Sequence, residues 1–274
     1  MMTPNSILAQ TRRGLQLVAG AGVLLVAASC SSILDVKNPN NIAEDALANP
    51  AAAGPEANGA LASLTRALSF STLVYADATD EMDWIGSRDS WNELDKGAIG
   101  NFANEFADDQ FKYTAEARYV ADQAIVRLEG FDKAGTLASR ADLMRSYIYG
   151  AVIYSSIADQ YDDFAFSNKT VPAAPVGRAN MGRLYDTAVG YLDKALAIAT
   201  SNSDKYTILA LRARAKHGKG AWAKVTPKGT AAPSNPLVND AGAVADATAA
   251  IALAAPDATV DLINNVEATA GTNI

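Results

Sequence analysis

The sequence has very few of the residues that build metal centres and disulfide frameworks. Its 274 residues include one cysteine, Cys30, and one histidine, His217. A disulfide framework needs paired cysteines and a structural zinc site needs four Cys or His ligands, so both are excluded. Serine–histidine catalysis would depend on His217 alone. That residue lies in a Lys-His-Gly-Lys run with no acidic partner close in sequence, which favours an exposed helix position.

Aromatic residues and positive charge are also scarce. Aromatics make up 7% of the chain, while apolar residues overall make up 49% and alanine is abundant. This composition supplies a core and favours helices packed through small side chains over an aromatic-rich β-sandwich. The formal net charge is −7. Because an acidic surface repels phosphates, we expect no nucleic-acid partner.

The first thirty residues have the plan of a bacterial export signal. Arg12 and Arg13 precede an uncharged run over residues 14–28, and small residues then lead to Cys30. The run is shorter than the roughly 20 residues that span a bilayer. The segment resembles a lipobox, in which the signal is cut just before a cysteine that becomes acylated. We therefore predict a signal peptide over residues 1–29 and lipidation of Cys30. A plain signal peptide with an incidental cysteine is the alternative.

Removal of this signal changes the charge of the protein. Residues 1–29 contain two arginines and no acid, so cleavage takes the net charge from −7 to −9. A second long apolar run is not visible after Cys30. We therefore expect an acidic domain that acyl chains, rather than a spanning helix, hold on the membrane.

The apolar spacing predicts an all-α domain. Residues 30–56 contain Asn-Pro and Gly-Pro breakers and are predicted to be a tether, followed by one helical domain over residues 57–274. Apolar residues at intervals of three and four predict helices at residues 57–75, 109–128, 137–160, 181–199, 205–224 and 241–253. Long loops are predicted over residues 77–101 and 162–180, where glycine or proline interrupts the pattern.

The later helices are predicted to form tetratricopeptide-like helix-hairpin repeats. The spacing Tyr185-x2-Ala188-x3-Leu192-x2-Ala195 resembles the second helix of such a unit. Residues 241–253 repeat its alanine-rich spacing. Small residues let the two helices of a hairpin approach closely, while Leu and Tyr fill the gaps. An alanine-rich bundle without repeats is the alternative.

Several short motifs, taken in order, resemble the SusD/RagB-type nutrient-uptake lipoproteins of Gram-negative bacteria. Behind the lipobox, the motifs are Leu34-Asp35-Val36-x-Asn38-Pro39, Asp80-Glu81, Ala117-Arg118-Tyr119-x-Ala121-Asp122-x-Ala124-Ile125, Tyr147-Ile148-Tyr149-Gly150, Leu184-Tyr185-Asp186-x-Ala188 and Leu211-Arg212-Ala213-Arg214-Ala215. Members of that family are longer and end in an Arg-rich helical segment that this chain does not match. We therefore expect the chain to be either an N-terminal portion, incomplete at its C-terminus, or a minimal version of such a protein.

The resemblance implies a function without catalysis and without a cofactor. It implies a lipid-anchored, surface-exposed protein of the outer membrane, with a tetratricopeptide-like fold. It also implies a partner, the SusC-type TonB-dependent transporter barrel, and an oligosaccharide or peptide ligand. A helical-repeat lipoprotein that scaffolds envelope proteins is the alternative function.

The loop over residues 77–101 contains the candidate ligand-binding residues. It carries two of the three tryptophans, and the candidate residues are Trp84, Trp91, Arg88, Asn92, Asp80 and Asp83. Aromatic planes cover the apolar C–H faces of a sugar, while carboxylate, amide and guanidinium groups hydrogen-bond its hydroxyls. The sequence therefore predicts a glycan site in a loop.

Three alternatives remain for the same loop. The tryptophans could simply pack the loop onto the helices. The acids could bind calcium, although their spacing does not match an EF-hand and a solvated acidic loop is favoured; no metal site is predicted. A pair of carboxylates could hydrolyse a glycoside, but sequence does not give their separation.

Overall fold

The computed structural model describes residues 44–98, 100–168, 171–225, 235 and 237–254. The chain divides into two units, Met1–Ala46 and Leu47–Ile274, and the helices and cores belong to the second. The predicted signal peptide, Cys30 and most of the predicted tether lie outside the described residues.

The described residues form an all-α fold, as predicted. Seven α-helices are present, and the only β-type pairing in the described ranges is an isolated bridge between Ala165 and Pro175. The helices are α1 (Ala53–Ala78), α2 (Asp89–Asp95), α3 (Glu105–Lys133), α4 (Arg140–Gln160), α5 (Arg183–Ile198), α6 (Asn202–Val225) and α7 (Ala241–Leu253). Short 3-10 turns occupy Glu44–Ala48, Pro50–Ala52 and Arg178–Asn180. In the part of the chain described, none of the helices is long and apolar enough to cross a membrane.

Local capping explains where the helices begin. Helix α1 begins at Ala53, earlier than predicted. Pro55 fits in its first turn, because N–H groups there have no partner within the helix and proline, which lacks an N–H, loses no hydrogen bond. Helix α3 also begins earlier, because Asn104 Oδ1 accepts hydrogen bonds from the N–H groups of Phe106 (3.0 Å) and Ala107 (3.3 Å). Asp240 caps α7 in the same manner, through the N–H of Ala243.

Polar pairs give the relative directions of the helices. Helices α3 and α4 are antiparallel, because residue numbers fall along α3 as they rise along α4 and just beyond its end. The hydrogen-bonded pairs that show this are Glu129–Tyr147, Asp122–Tyr154 and Thr114–Tyr161. The same reversal joins α1 to α3 through Glu56–Arg127 and Arg66–Glu116, and α5 to α6 through Asp186–Lys219 and Asp193–Arg212. Helix α1 also packs on α4, in parallel, through Asn58–Arg145 and Tyr75–Gln160.

Helix α4 is shared by two apolar clusters. The first gathers residues of α3, α4, α5 and α6, with Ala53 of α1, around Tyr147, Ala151 and Leu192. The second gathers residues of α1, α3, α4 and the start of α5 around Ile153 and Ile157. At Gly150 an added Cβ would lie 2.8 Å from Ile125 Cδ1 and 3.1 Å from the Tyr191 ring, so glycine permits the close approach of α4 to its neighbours.

Helix α7 is held on α6 by one buried carboxylate. Asp246 accepts hydrogen bonds from Arg212 (2.6 and 2.8 Å) and from Lys216 (2.6 Å). Successive antiparallel neighbours occur both in hairpin repeats and in simple bundles. The tetratricopeptide-like repeat therefore stays a prediction.

Candidate functional site

The predicted site residues all lie in the segment over residues 79–104, here named the tryptophan loop, which connects α1 to α3 and contains α2. The chain leaves α1 through a tight reversal. Asp80 adopts a left-handed conformation, φ 60°, and the N–H groups of Glu81 and Met82 both donate to the carbonyl of Ala76 (2.9 and 3.0 Å). This reversal leaves Asp80 and Asp83 exposed.

The two tryptophans build a small aromatic core. Trp91 is 7% exposed, and its ring stacks on Phe106, with centroids 4.1 Å apart, and on Trp84, 5.7 Å apart. Phe70 of α1 approaches Trp91 at 6.5 Å. An added Cβ at Gly86 would collide with the half-buried Trp84 ring, so Gly86 covers part of that ring. In this arrangement the tryptophans pack the loop onto α1 and α3, which is the packing alternative considered above.

Short helix α2, which lies inside the predicted loop, explains this packing. It places Trp91 and Leu94, three residues apart, on one buried face. Asn104, the N-cap of α3, binds α2, because its Nδ2 donates to the carbonyl of Ser90 (2.8 Å) and to Glu93 Oε2 (3.1 Å). The described residues of the tryptophan loop are therefore tied to one another by hydrogen bonds and ring packing.

Arg88 and Asn92 lie at the rim of this core. Arg88 donates to both carboxylate oxygens of Glu105 (3.0 and 2.9 Å), and its guanidinium carbon is 4.9 Å from the centre of the Phe106 ring. The hydrogen bond from Arg88 lowers the pKa of Glu105. Asn92 is half-buried on α2. Arg88 is thus already paired, yet more than half of its side chain is open to solvent.

Asp77 is a buried carboxylate at the base of the loop. The residue is 3% exposed, and its Oδ2 atom has no hydrogen-bond partner among the described residues. Burial, followed by repulsion from Asp95 and Asp83, raises the pKa of Asp77. Asp95 Oδ1 accepts a hydrogen bond from the backbone N–H of Trp84 (3.0 Å). Within the described ranges, no three His, Cys, Asp or Glu side chains are arranged to hold a metal ion.

Sequence reasoning missed the most exposed apolar side chains of the loop. Ile85 is 93% exposed, Phe102 is 94% exposed and Met82 is 49% exposed. Exposed apolar side chains mark a binding surface where they form a contiguous patch. Sequence gave a partial signal, because Met82 lies between two acids in this polar segment.

A second polar cluster, centred on Asp122 of α3, was not singled out as a site from the sequence. The Asp122 carboxylate accepts hydrogen bonds from Tyr154 (3.0 Å), Tyr191 (3.4 Å) and Arg118 (3.4 Å). Burial raises the pKa of Asp122 in spite of these donors. Arg118 also donates to the carbonyl of Ser167, so the cluster joins α3, α4 and α5 to the segment after α4. The i, i+4 spacing of Arg118 and Asp122 indicates an ion pair on α3, but it does not indicate the tyrosines that come from α4 and α5.

Comparison with known proteins adds no assignment. No protein-family model matches the chain, and no curated protein or solved structure matches it significantly. The functional argument therefore depends on the residues themselves.

Proposed function

We propose that the protein is a surface lipoprotein of the outer membrane that binds an oligomeric nutrient, a glycan or a peptide, and delivers it to a TonB-dependent transporter barrel. The ordered motifs and the lipobox-like start support this proposal. The single observation that carries the binding role is the exposure of two large apolar side chains, Ile85 and Phe102, in the tryptophan loop. Binding and delivery need no catalytic group, so the proposal assigns none.

Phe102 supplies the aromatic surface in this proposal. Burying a phenylalanine side chain is worth about 1.5–3 kcal/mol. Every 1.4 kcal/mol changes affinity about tenfold, so Phe102→Ala should weaken binding by about tenfold or more. Calorimetry of the protein against a panel of oligosaccharides and peptides measures this change. Val126→Ala is the matched control, because Val126 is 63% exposed and lies on α3 outside the loop.

The same panel separates Phe102 from the two tryptophans. Trp91→Ala removes a ring from the aromatic core, so we expect loss of stability together with any loss of binding. Trp84→Ala is expected to do the same to a smaller extent, since Trp84 is only half-buried. Unchanged affinity in Phe102→Ala, with a ligand present in the panel, would place the binding surface elsewhere.

Lipidation is tested independently of binding. Metabolic labelling with a palmitate analogue should mark the wild-type protein and leave Cys30→Ala unlabelled, because a lipobox cysteine is the only thiol in the chain. Label retained by Cys30→Ala would contradict lipidation at this residue. Co-purification of a barrel protein from outer membranes would support the transporter partner.

A scaffold for envelope proteins is the second candidate function, and helix α7 favours it. The only charged residue of α7, Asp246, faces α6, while Val244 and Ile251 are 60% and 74% exposed. This leaves an uncharged face of the helix open to solvent. A protein partner that is lost in Val244→Asp, with no ligand for the tryptophan loop in the panel, would favour the scaffold.

A further inference from the structure

The negative charge of this protein is concentrated at one place. Residues 77–109, which comprise the tryptophan loop with the adjoining ends of α1 and α3, contain ten acidic and two basic residues. The whole chain contains 30 acidic and 23 basic residues, so the remainder has 20 acids and 21 bases and is nearly neutral. The acidic character of the protein therefore belongs to this segment.

Much of this charge is exposed and uncompensated. Asp80, Glu81, Asp83 and Asp89 are exposed and make no ion pair within the described residues. Of the two basic residues, Arg88 is already bound to Glu105. A ligand that carries positive charge would be attracted to this surface, and an anionic ligand would be repelled.

Buried Asp77 adds an independent observation. Its carboxylate is almost fully removed from water, one oxygen has no partner in the described structure, and the charges of Asp83 and Asp95 act on it from nearby. A buried polar group without a partner is costly to the fold. An added cation beside these three acids would lower that cost.

The exposed apolar side chains favour a ligand that also has apolar groups. Ile85 and Phe102 stand almost fully in water within the same segment. A neutral glycan would use the aromatic ring and none of the charge, while a polyamine would use the charge and neither apolar side chain. A ligand that uses both must combine cationic and apolar groups.

We propose that the tryptophan loop binds a basic peptide that has apolar side chains between its lysines or arginines. This inference rests on the proposed function, since it names the ligand class of the same loop. Lysine or arginine side chains pair with the exposed acids Asp80, Glu81 and Asp83. Apolar side chains of the peptide cover Ile85 and Phe102.

The test compares labelled peptides that differ in one property. A Lys/Phe/Leu peptide is titrated by fluorescence anisotropy beside its Glu-for-Lys and Ser-for-Phe/Leu counterparts and beside spermine and a neutral oligosaccharide. We expect the Lys/Phe/Leu peptide to bind at least tenfold tighter than each counterpart. Its affinity should fall as salt rises from low to high concentration, because exposed charges are screened.

Matched variants assign the binding to the loop. Asp80→Asn combined with Asp83→Asn should weaken peptide binding about tenfold, the change that 1.4 kcal/mol produces. Asparagine tolerates the left-handed conformation at position 80, so the fold should persist. Asp186→Asn combined with Asp193→Asn removes the same charge from exposed positions on α5 and should leave binding unchanged.

The possible outcomes distinguish this inference from the proposed function. Equal binding of the Glu-for-Lys peptide, or affinity indifferent to salt, would overturn the basic-peptide inference. Binding of the oligosaccharide that depends on Phe102, without peptide binding, would keep the proposed function and also overturn the inference. No binding by any probe would count against both.

Discussion

Two carboxylates, buried Asp77 and partly buried Asp122, differ in the donors around them. Asp122 receives hydrogen bonds from two tyrosines and one arginine. The Oδ2 atom of Asp77 receives none from the described residues, and the acids near it are repulsive. Removing the charge of Asp77 should therefore stabilise the fold, whereas removing a donor to Asp122 should destabilise it.

Asp77→Asn is expected to stabilise the protein at neutral pH. The change removes a buried negative charge, and the new amide can donate to a neighbouring carboxylate. Because an unsatisfied buried group costs about 1–3 kcal/mol, we expect a gain of about 1 kcal/mol in the free energy of unfolding. Urea unfolding measures it, with Glu81→Gln as the control, because Glu81 is an exposed acid without an ion pair in the described residues.

The pH dependence of that gain has a definite sign. The folded-state pKa of Asp77 is raised above its ordinary value of 3.8, so the fold favours the protonated acid. The destabilisation by its charge is complete above the raised pKa and disappears below the ordinary one. The advantage of Asp77→Asn should therefore shrink as the solution is acidified through this window. An advantage that grew on acidification would contradict the assignment.

Tyr154→Phe should destabilise the protein. The variant removes the hydroxyl that donates to Asp122 at 3.0 Å and leaves this partly buried carboxylate with one donor fewer. Because hydrogen bonds to charged groups contribute about 1.5–3 kcal/mol, we expect a loss in the free energy of unfolding of about 1–2 kcal/mol. Denaturant unfolding at neutral pH measures it. Tyr206→Phe is the control, since the Tyr206 hydroxyl bonds no described residue; equal losses in both variants would count against a specific role for Tyr154.

At the scale of the helices, two glycines give a matched pair. An added Cβ at Gly150 of α4 would meet Ile125 and Tyr191, whereas one at Gly130 of α3 would meet nothing within 4 Å. Gly150→Ala should cost about 1–3 kcal/mol of stability through overpacking. Gly130→Ala should add about 0.5–1 kcal/mol through helix propensity. Thermal unfolding of both variants checks the signs; stabilisation by Gly150→Ala would contradict the close approach of these helices.

Local signals predicted the long helices well and the tryptophan loop poorly. The bounds of α7 were predicted from its alanine-rich spacing, and in the structure Asp240 caps the first turn of this helix. Helix α2 was not predicted, because its seven residues are polar except for the two that its neighbours bury, Trp91 and Leu94. A polar loop with two tryptophans has the same composition whether the rings bind a ligand or pack inward, so sequence alone could not separate the two.

The candidate site also combines features that local sequence predicts with features that depend on how the helices pack. Sequence singled out this segment as aromatic and acidic, because composition is local. It did not identify Phe102 as the exposed ring, since the choice between Phe102 and Trp91 depends on which ring α1 and α3 cover. The cluster around Asp122 likewise requires three helices to meet, and no spacing within one helix reports that meeting.

At the scale of the whole molecule, the tryptophan loop shares its supporting helices with the main core. Helix α1 contributes Leu64 and Ala67 to one apolar cluster and Val74 to the aromatic core, and α3 contributes Ala117 and Phe106 in the same way. Continuous helices that enter both cores should couple their unfolding.

We therefore expect one cooperative transition that includes the loop. In a Trp222→Phe background, the remaining tryptophans Trp84 and Trp91 both report on the aromatic core. Their fluorescence and the far-UV circular dichroism should lose signal at the same urea concentration, because the loop cannot lose its core without releasing α1 and α3. Phe106→Ala should lower both midpoints together, since a buried phenylalanine removed to alanine costs about 3–5 kcal/mol. A fluorescence transition that precedes the dichroism would instead show that the loop opens independently, and the ordered binding surface would then be a local structure with its own stability.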